Sequence, residues 1–432
     1  MKFIQNILFE KFFQFSLISS VGSVLSGLIS FGVYLLLIRY LTFEEYGIYT
    51  SLFAIVGLIT FFSHSFSLYF TTIGSLQKNG KISSREVLKI LKVFSAKVLI
   101  SVILLSVLLL ILKEEILLYF PQFPFQYFWF ILLLTFIALL HPMIDGLLQG
   151  LQQFVQLTAL SLFITLIKAL GISLAVIYSL SLPYILLAVI FSIFILYVLS
   201  YLLYRRYPTI RIRKNTSKNV SLYLPGIWTY AGITLFLGSF FNTDILILSH
   251  VQNPLLVGQY AVQMNIAKIV LFGNSILLPI VYSLSSHFAI RKDSGHKIPF
   301  QAIFFSLFFS GLMIILIRFF PQFILPLFSK KNFSPAENIL IIMILTTTFF
   351  SLSTILLHYL LSYRQTIFLI PLIFLNILQI ALLTLYHNSF FEIAISMFII
   401  QLILLFIALT FFLTYIYKQS WKKNLSTEFS KQ

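Results

Sequence analysis

Long, unbroken apolar runs recur along the whole chain, and they constrain its fold more than any other feature. A run of about 20 residues with few charges is the length that crosses a bilayer core as a helix. Twelve such runs are present, at 14–38, 48–70, 93–112, 126–148, 157–178, 184–204, 223–248, 257–282, 299–318, 338–361, 366–386 and 390–417. Inside lipid every backbone group must be paired within the protein, which leaves helices and closed barrels. Barrel strands read as alternating segments of about 10 residues, whereas these runs are continuous. Only 9% of the residues are charged and 59% are hydrophobic, against about 25% charged in a soluble domain. The expectation is an all-α integral membrane protein of about twelve transmembrane helices. The first apolar run is too long for a signal-peptide core and lacks a small-x-small cleavage site, so it is read as the first span.

Where the charges sit matters more than their sum. The net charge is +17, a value that in a soluble chain would suggest nucleic acid. Here the basic residues occupy short loops between spans, so no nucleic-acid partner is expected, and the clusters read as topology signals that also touch anionic lipid. With the N-terminus in the cytoplasm, 21 Lys and Arg fall inside and 5 outside, with Lys97, Lys168 and Lys268 within or at the edge of spans. That split predicts a multi-pass protein of the plasma (inner) membrane with both termini cytoplasmic. There is no cysteine, which excludes disulfides, thiolate metal sites and a cysteine nucleophile.

The richest basic loop, 205–218, lies near mid-chain. Displacing the first half by 211 residues overlays the spans, and Tyr46-Gly47-Ile48-Tyr49 then aligns with Val257-Gly258-Gln259-Tyr260. Six spans per half is an even number, so the halves face the same way, as in parallel repeats with a substrate path between them. The expected division is an N-terminal six-helix lobe at 1–214 and a C-terminal one at 215–432. The longest outer loop, about 319–337, is too short to fold as a catalytic domain. No nucleotide-binding loop, nucleophile elbow or zinc signature is present. The chain is therefore expected not to be an enzyme, with no cofactor and no metal site.

A charge at mid-bilayer costs about 2.5–3.5 kcal/mol even on a lenient scale, so each one in a span requires a reason. Lys168 is central in the fifth span and shares a helical face with Thr158, Ser161 and Thr165, which favours a water-filled cavity over lipid. Lys268 is midway along the eighth span, on the same half of the helix as Tyr260, Gln263, Asn274 and Ser275. That pattern suits either a cavity or interhelical hydrogen bonding that only packs the bundle. Asp244, after Asn242 and Thr243, is a candidate coupling carboxylate for a proton or sodium ion, a partner for Arg39 or Lys268, or an interfacial carboxylate in water. Asp145 is expected at the interface. His64, His141 and His358 lack metal-ligand spacing and read as packing or interface residues. In the first span Ser16, Ser19, Ser20, Ser23, Ser26, Gly27, Ser30 and Tyr34 form one stripe, read first as a close-packing surface.

The stretch Arg39-Tyr40-Leu41-Thr42-Phe43-Glu44-Glu45-Tyr46-Gly47-Ile48-Tyr49 resembles the first loop of Wzx-type polysaccharide flippases. These belong to the multidrug/oligosaccharidyl-lipid/polysaccharide exporter superfamily. Gln149-Gly150-Leu151-Gln152-Gln153-Phe154 is similar to that family's loop after the fourth span, with Gln153 where a basic residue is common. Asp244-Ile245-Leu246-Ile247-Leu248, followed by Val257-Gly258-Gln259-Tyr260, is similar to its seventh-span segment. The resemblance implies two lobes working by alternating access. The implied cargo is a polyprenyl-pyrophosphate-linked oligosaccharide, turned from the inner to the outer leaflet for cell-surface polysaccharide such as the O-antigen of lipopolysaccharide. It also implies partners among other membrane proteins of polysaccharide assembly. An anionic pyrophosphate crossing a low-dielectric core is offset by buried cations. Lys168 and Lys268, with Arg39 from the loop motif, are accordingly the candidate substrate-binding residues. Two alternatives stay open: an ion-coupled exporter of small molecules from the same superfamily, and a membrane polymerase or glycosyltransferase.

Overall fold

A computed structural model describes residues 21–22, 24–78, 82–115, 124–151, 153–206, 227–275, 277–278, 281–282, 285, 297–328 and 335–429. Each of the twelve apolar runs coincides with a helix: α1 (Val24–Tyr40), α2 (Phe43–Lys78), α3 (Ser84–Ile111), α4 (Gln126–Gly150), α5 (Phe154–Ile177), α6 (Leu182–Arg206), α7 (Ile227–Val251), α8 (Pro254–Ser275), α9 (Lys297–Phe319), α11 (Glu337–Ser362), α12 (Leu369–Leu385) and α13 (Phe390–Phe429). A short helix, α10 (Pro321–Phe328), was not foreseen and falls in the expected outer loop. No strand occurs among the described residues. Nine of the described helical stretches are long and apolar enough to cross a membrane, and α1 and α12 are shorter apolar helices.

α2 starts five residues before the expected span because of its cap. The Thr42 hydroxyl accepts from the Glu45 backbone N–H at 3.1 Å, and the Glu45 carboxylate accepts from the Thr42 backbone N–H at 3.0 Å. This reciprocal box satisfies two of the donors left open at a helix start, and Glu44 and Glu45 complement the helix dipole. The loop motif is therefore mostly the first turn of α2. Thr42→Ala should cost about 1 kcal/mol, read as a lower midpoint of thermal unfolding in detergent; an unchanged midpoint would show that the cap is dispensable.

Displacing α4 by 211 residues gives 337–361, and α11 is Glu337–Ser362. Displacing α3 gives 295–322, around α9 at Lys297–Phe319. The internal repeat read from the sequence therefore extends to individual helix ends.

By contacts the chain divides into two compact units, 1–258 and 259–432. The repeat boundary at 214/215 lies outside the described residues, as do Lys2, Lys11, most of the 205–218 loop and residues 329–334. The contact boundary falls later in the chain because α7 packs on α2. Gly238 of α7 faces the Phe61 ring, and Gly57 of α2 faces the Asn242 amide.

In the first unit α4 is central, packed against α2, α3, α5 and α6. Its seam with α2 is made by glycines. A Cβ on Gly146 would overlap the Ser67 carbonyl, one on Gly150 the Thr71 carbonyl, and one on Gly74 the Leu147 carbonyl. The two backbones thus approach as small-residue interfaces allow in lipid. The starts of α2 and α8 meet in the same way: Gly47 abuts the Pro254 carbonyl, and Gly258 abuts the Phe43 carbonyl. These pairs are related by the 211-residue shift, so the contact is self-complementary, as at a two-fold axis. α5 turns into α6 through Ser179 at φ 52°, where the Leu180 N–H donates to the Ala175 carbonyl at 2.8 Å, a left-handed helix stop.

In the second unit α11 packs against α13 and α9, and α12 against α13. Its buried hydroxyls mostly return to their own helix: Thr348 donates to the Ile344 carbonyl at 2.7 Å and Ser351 to the Thr347 carbonyl at 2.9 Å. Tyr359 is buried in an aromatic cluster with Tyr363, Phe412 and Tyr415. Arg318 at the end of α9 and Glu337 at the start of α11 form an ion pair at 2.6 Å.

Candidate substrate and coupling residues

Lys168 is placed by the amphipathic pattern of α5. Five exposed large side chains of that helix, Phe163, Leu166, Leu170, Leu174 and Ile177, form one apolar stripe. At 3.6 residues per turn Lys168 lies about 160° from the centre of that stripe. Ile164, Ile172 and Ala175, the buried residues of α5, lie on its side of the helix. The lysine therefore points away from the apolar outer surface, half-buried, and among the described residues it makes no hydrogen bond or ion pair. Thr165 and Thr158 donate to the Ser161 and Phe154 carbonyls at 2.8 and 2.9 Å, so their donors are satisfied within the helix.

Lys268 differs. It is 4% exposed, in an α8 whose Tyr260, Gln263 and Asn274 are also buried. The Gln263 carbonyl oxygen accepts from the Ala336 N–H at 3.4 Å, and Thr347 of α11 donates to the Ala267 carbonyl at 3.1 Å. The polar residues of α8 on this face thus tie α8 into the second unit. Arg39 is exposed on the last turn of α1. Lys168 and Lys268 belong to different units.

Asp244 is fully buried in α7. Seven residues, about 10 Å, separate it from the helix end at Val251. The reading of Asp244 as an interfacial carboxylate in water is overturned. Thr243 beside it donates to the Ser239 carbonyl at 2.7 Å, and Asn242 to the Gly238 carbonyl at 3.0 Å.

Asp145 has a partner that the sequence reading did not assign: it pairs with His141, Oδ2 to Nδ1 at 3.2 Å, with side chains 25% and 16% exposed. The signal was an i,i+4 His-x-x-x-Asp spacing, which places both groups on one helical face. The other two histidines fit packing roles: His358 Nδ1 lies 2.8 Å from the Thr354 carbonyl, and His64 leans on the Phe61 ring. In the small-residue stripe of α1, a Cβ at Gly27 would meet nothing within 4 Å, so no close packing occurs at that position among the described residues. Ser16, Ser19, Ser20 and Ser23 lie outside the described residues.

No protein-family model matches the sequence, and no curated protein is significantly similar to it. Solved structures are similar across nearly the whole chain. One is a MOP superfamily transporter from Pyrococcus furiosus Vc1, described as having a binding pocket of reversed polarity. Its TM-score is 0.67 at 11% identity, over 94% of this chain and 96% of that one. A multidrug resistance MATE family transporter in an inward-facing conformation gives 0.66 at 12% identity, over 94% and 95%. The lipid II flippase MurJ, in an inward closed conformation, gives 0.62 at 14% identity, over 92% and 87%. These likenesses, spanning the twelve long helices and the internal repeat, give the chain the two-lobed fold of MOP superfamily transporters.

Proposed function

We propose that the protein flips a polyprenyl-pyrophosphate-linked oligosaccharide from the inner to the outer leaflet of the plasma membrane by alternating access, for cell-surface polysaccharide. The observation that carries this reading is Lys168, a cation turned inward from the apolar face of its helix with no acid paired to it among the described residues. Such a group suits an anionic headgroup that must leave water. The lipid II flippase among the structural neighbours supports a lipid-linked cargo for this fold. Lys268 is proposed as a second cation in the other unit, one that becomes reachable only as the protein changes state. Arg39, at the end of α1, is proposed to meet the headgroup at the rim. Both termini are proposed to be cytoplasmic, on the 21-to-5 charge split.

A second reading, an ion-coupled exporter of small molecules, draws on the fully buried Asp244 and on the MATE transporter among the neighbours. Asp244 is the candidate coupling carboxylate under either reading. One experiment separates the two. The full chain is reconstituted in liposomes with a fluorescent polyprenyl-pyrophosphate oligosaccharide, and cargo in the outer leaflet is quenched. Faster loss of protected signal than in protein-free liposomes is expected. Movement at the protein-free rate, with uptake of a cationic dye by the same liposomes, would favour the exporter.

A further inference from the structure

We propose that His141 and Asp145 form a proton-binding dyad that sets the affinity of the first unit for an anionic phosphate group. The proton site itself stands on geometry alone; its effect on phosphate rests on the function proposed above.

The two side chains share one face of α4, 3.2 Å apart. The remaining atom of each, Asp145 Oδ1 and His141 Nε2, is buried with no hydrogen-bond partner among the described residues. A structural pair would be expected to satisfy these atoms from its neighbours. Left as they are, they suit a site that gains and loses a proton. Two charge states are accessible. With one proton from the aqueous phase on His141 Nδ1 or Asp145 Oδ2, the pair is neutral overall, as carboxylate with imidazolium or as carboxylic acid with imidazole. Without it, the pair carries a single negative charge. The proton belongs to the pair rather than to either residue.

The link to Lys168 follows from depth. α4 ends at Gly150 and α5 begins at Phe154, so depths along both helices are measured from one short turn. At 1.5 Å per residue Asp145 lies about 8 Å from that turn, His141 about 14 Å and Lys168 about 21 Å. The dyad is thus on the order of 10 Å from the lysine in depth, too far for an ion pair and close enough for its charge to be felt. Among the described residues, the titratable or charged groups on the helices packed on α4 include His64 and Tyr69 on α2, Lys97 on α3, and Tyr197, Tyr201 and Tyr204 on α6. Tyr204 is engaged by Gln77 at 3.2 Å, and Lys97 lies over the Phe94 ring.

The sign is then fixed. The deprotonated dyad repels an anion and offsets the Lys168 charge, and the protonated dyad does neither. Anion binding is therefore tighter at low pH, and by reciprocity the bound anion draws a proton onto the dyad. With about 10 Å of depth and about 8–10 Å between helix axes, a unit charge at an effective dielectric of about 20 changes affinity by roughly tenfold.

The test uses the full-length protein in nanodiscs with farnesyl pyrophosphate as probe. Calorimetry in buffers of different ionisation enthalpy counts the protons taken up on binding. Uptake by the wild type should exceed that by Asp145→Asn, and the probe's own phosphate titration cancels in the comparison. The affinity of Asp145→Asn should lose about tenfold of its pH dependence. Asp145→Ala, which also removes the carboxylate, should match Asp145→Asn and serves if that variant does not fold. Equal uptake in wild type and both dyad variants would overturn the proposal. If the probe binds none of the proteins, the substrate reading fails, and infrared spectroscopy of the ligand-free protein decides the dyad. A protonated-carboxyl or imidazolium band that grows as pH falls and is lost in Asp145→Asn supports it, and the absence of both bands overturns it.

Discussion

Gly150→Val is expected to remove most of the folded, monodisperse protein, with a destabilisation of about 3 kcal/mol. At this position a Cβ meets backbone: the Thr71 carbonyl, the Ser75 nitrogen and the Gly74 Cα. No flexible side chain is available to yield, so the helices must separate. Separation propagates along the seam, because Gly146 is fitted to Ser67 and Gly74 to Leu147 in the same way. In lipid there is little hydrophobic drive to bring helices together, so close packing carries much of the association. The measurement is the monodisperse fraction after extraction, with the thermal midpoint of what remains. Gly27→Ala is the control. Nothing lies within 4 Å of a Cβ there, and alanine favours a helix by about 1 kcal/mol over glycine, so that variant should be unchanged or slightly more stable. Equal behaviour of the two variants would show that the α2–α4 seam is not close-packed.

This seam also explains what was readable in the sequence. The helices were legible because each must satisfy its own backbone in lipid, a requirement local to every run. The repeat was legible for the same reason, and α4 and α11 agree with it almost to the residue. The meaning of the family-like motifs was not. Gly47, Gly150 and Gly258 sit in stretches that resemble those of flippases, yet each is where one backbone touches another. Those stretches carry fold, and the partner that explains a glycine lies on a different helix. Among the polar residues, the stripe bearing Lys168 was visible because the helical period alone defines it. The surroundings of Asp244 and Lys268 were not, since burial depends on α2 and α11, far away in the chain. The His141–Asp145 pair has an i,i+4 spacing that is visible in the sequence, but that spacing only puts two groups on one face; their pairing at 3.2 Å is set by side-chain geometry.

Lys168→Ala is expected to slow flipping by about 10–100-fold while leaving the folded protein intact. The first half follows from the value of a hydrogen bond to a charged group, about 1.5–3 kcal/mol, lost when the phosphate meets a methyl group. The second half follows from the lysine's surroundings. It is half-buried, has no partner among the described residues and faces away from the apolar stripe of α5. Its removal orphans no neighbour, and alanine is a better helix former. Lys168→Arg should keep part of the rate, since it preserves charge but changes donor geometry. Lys268 supplies the contrast. At 4% exposure it is held inside the second unit, so Lys268→Ala should lower the thermal midpoint as well as the rate. Flipping in liposomes and thermal unfolding, measured on the same preparations, separate the two effects. A stability loss in Lys168→Ala that matches its loss of rate would make the residue structural. Wild-type flipping in the Lys168→Ala, Lys268→Ala double variant would remove both lysines from the substrate path.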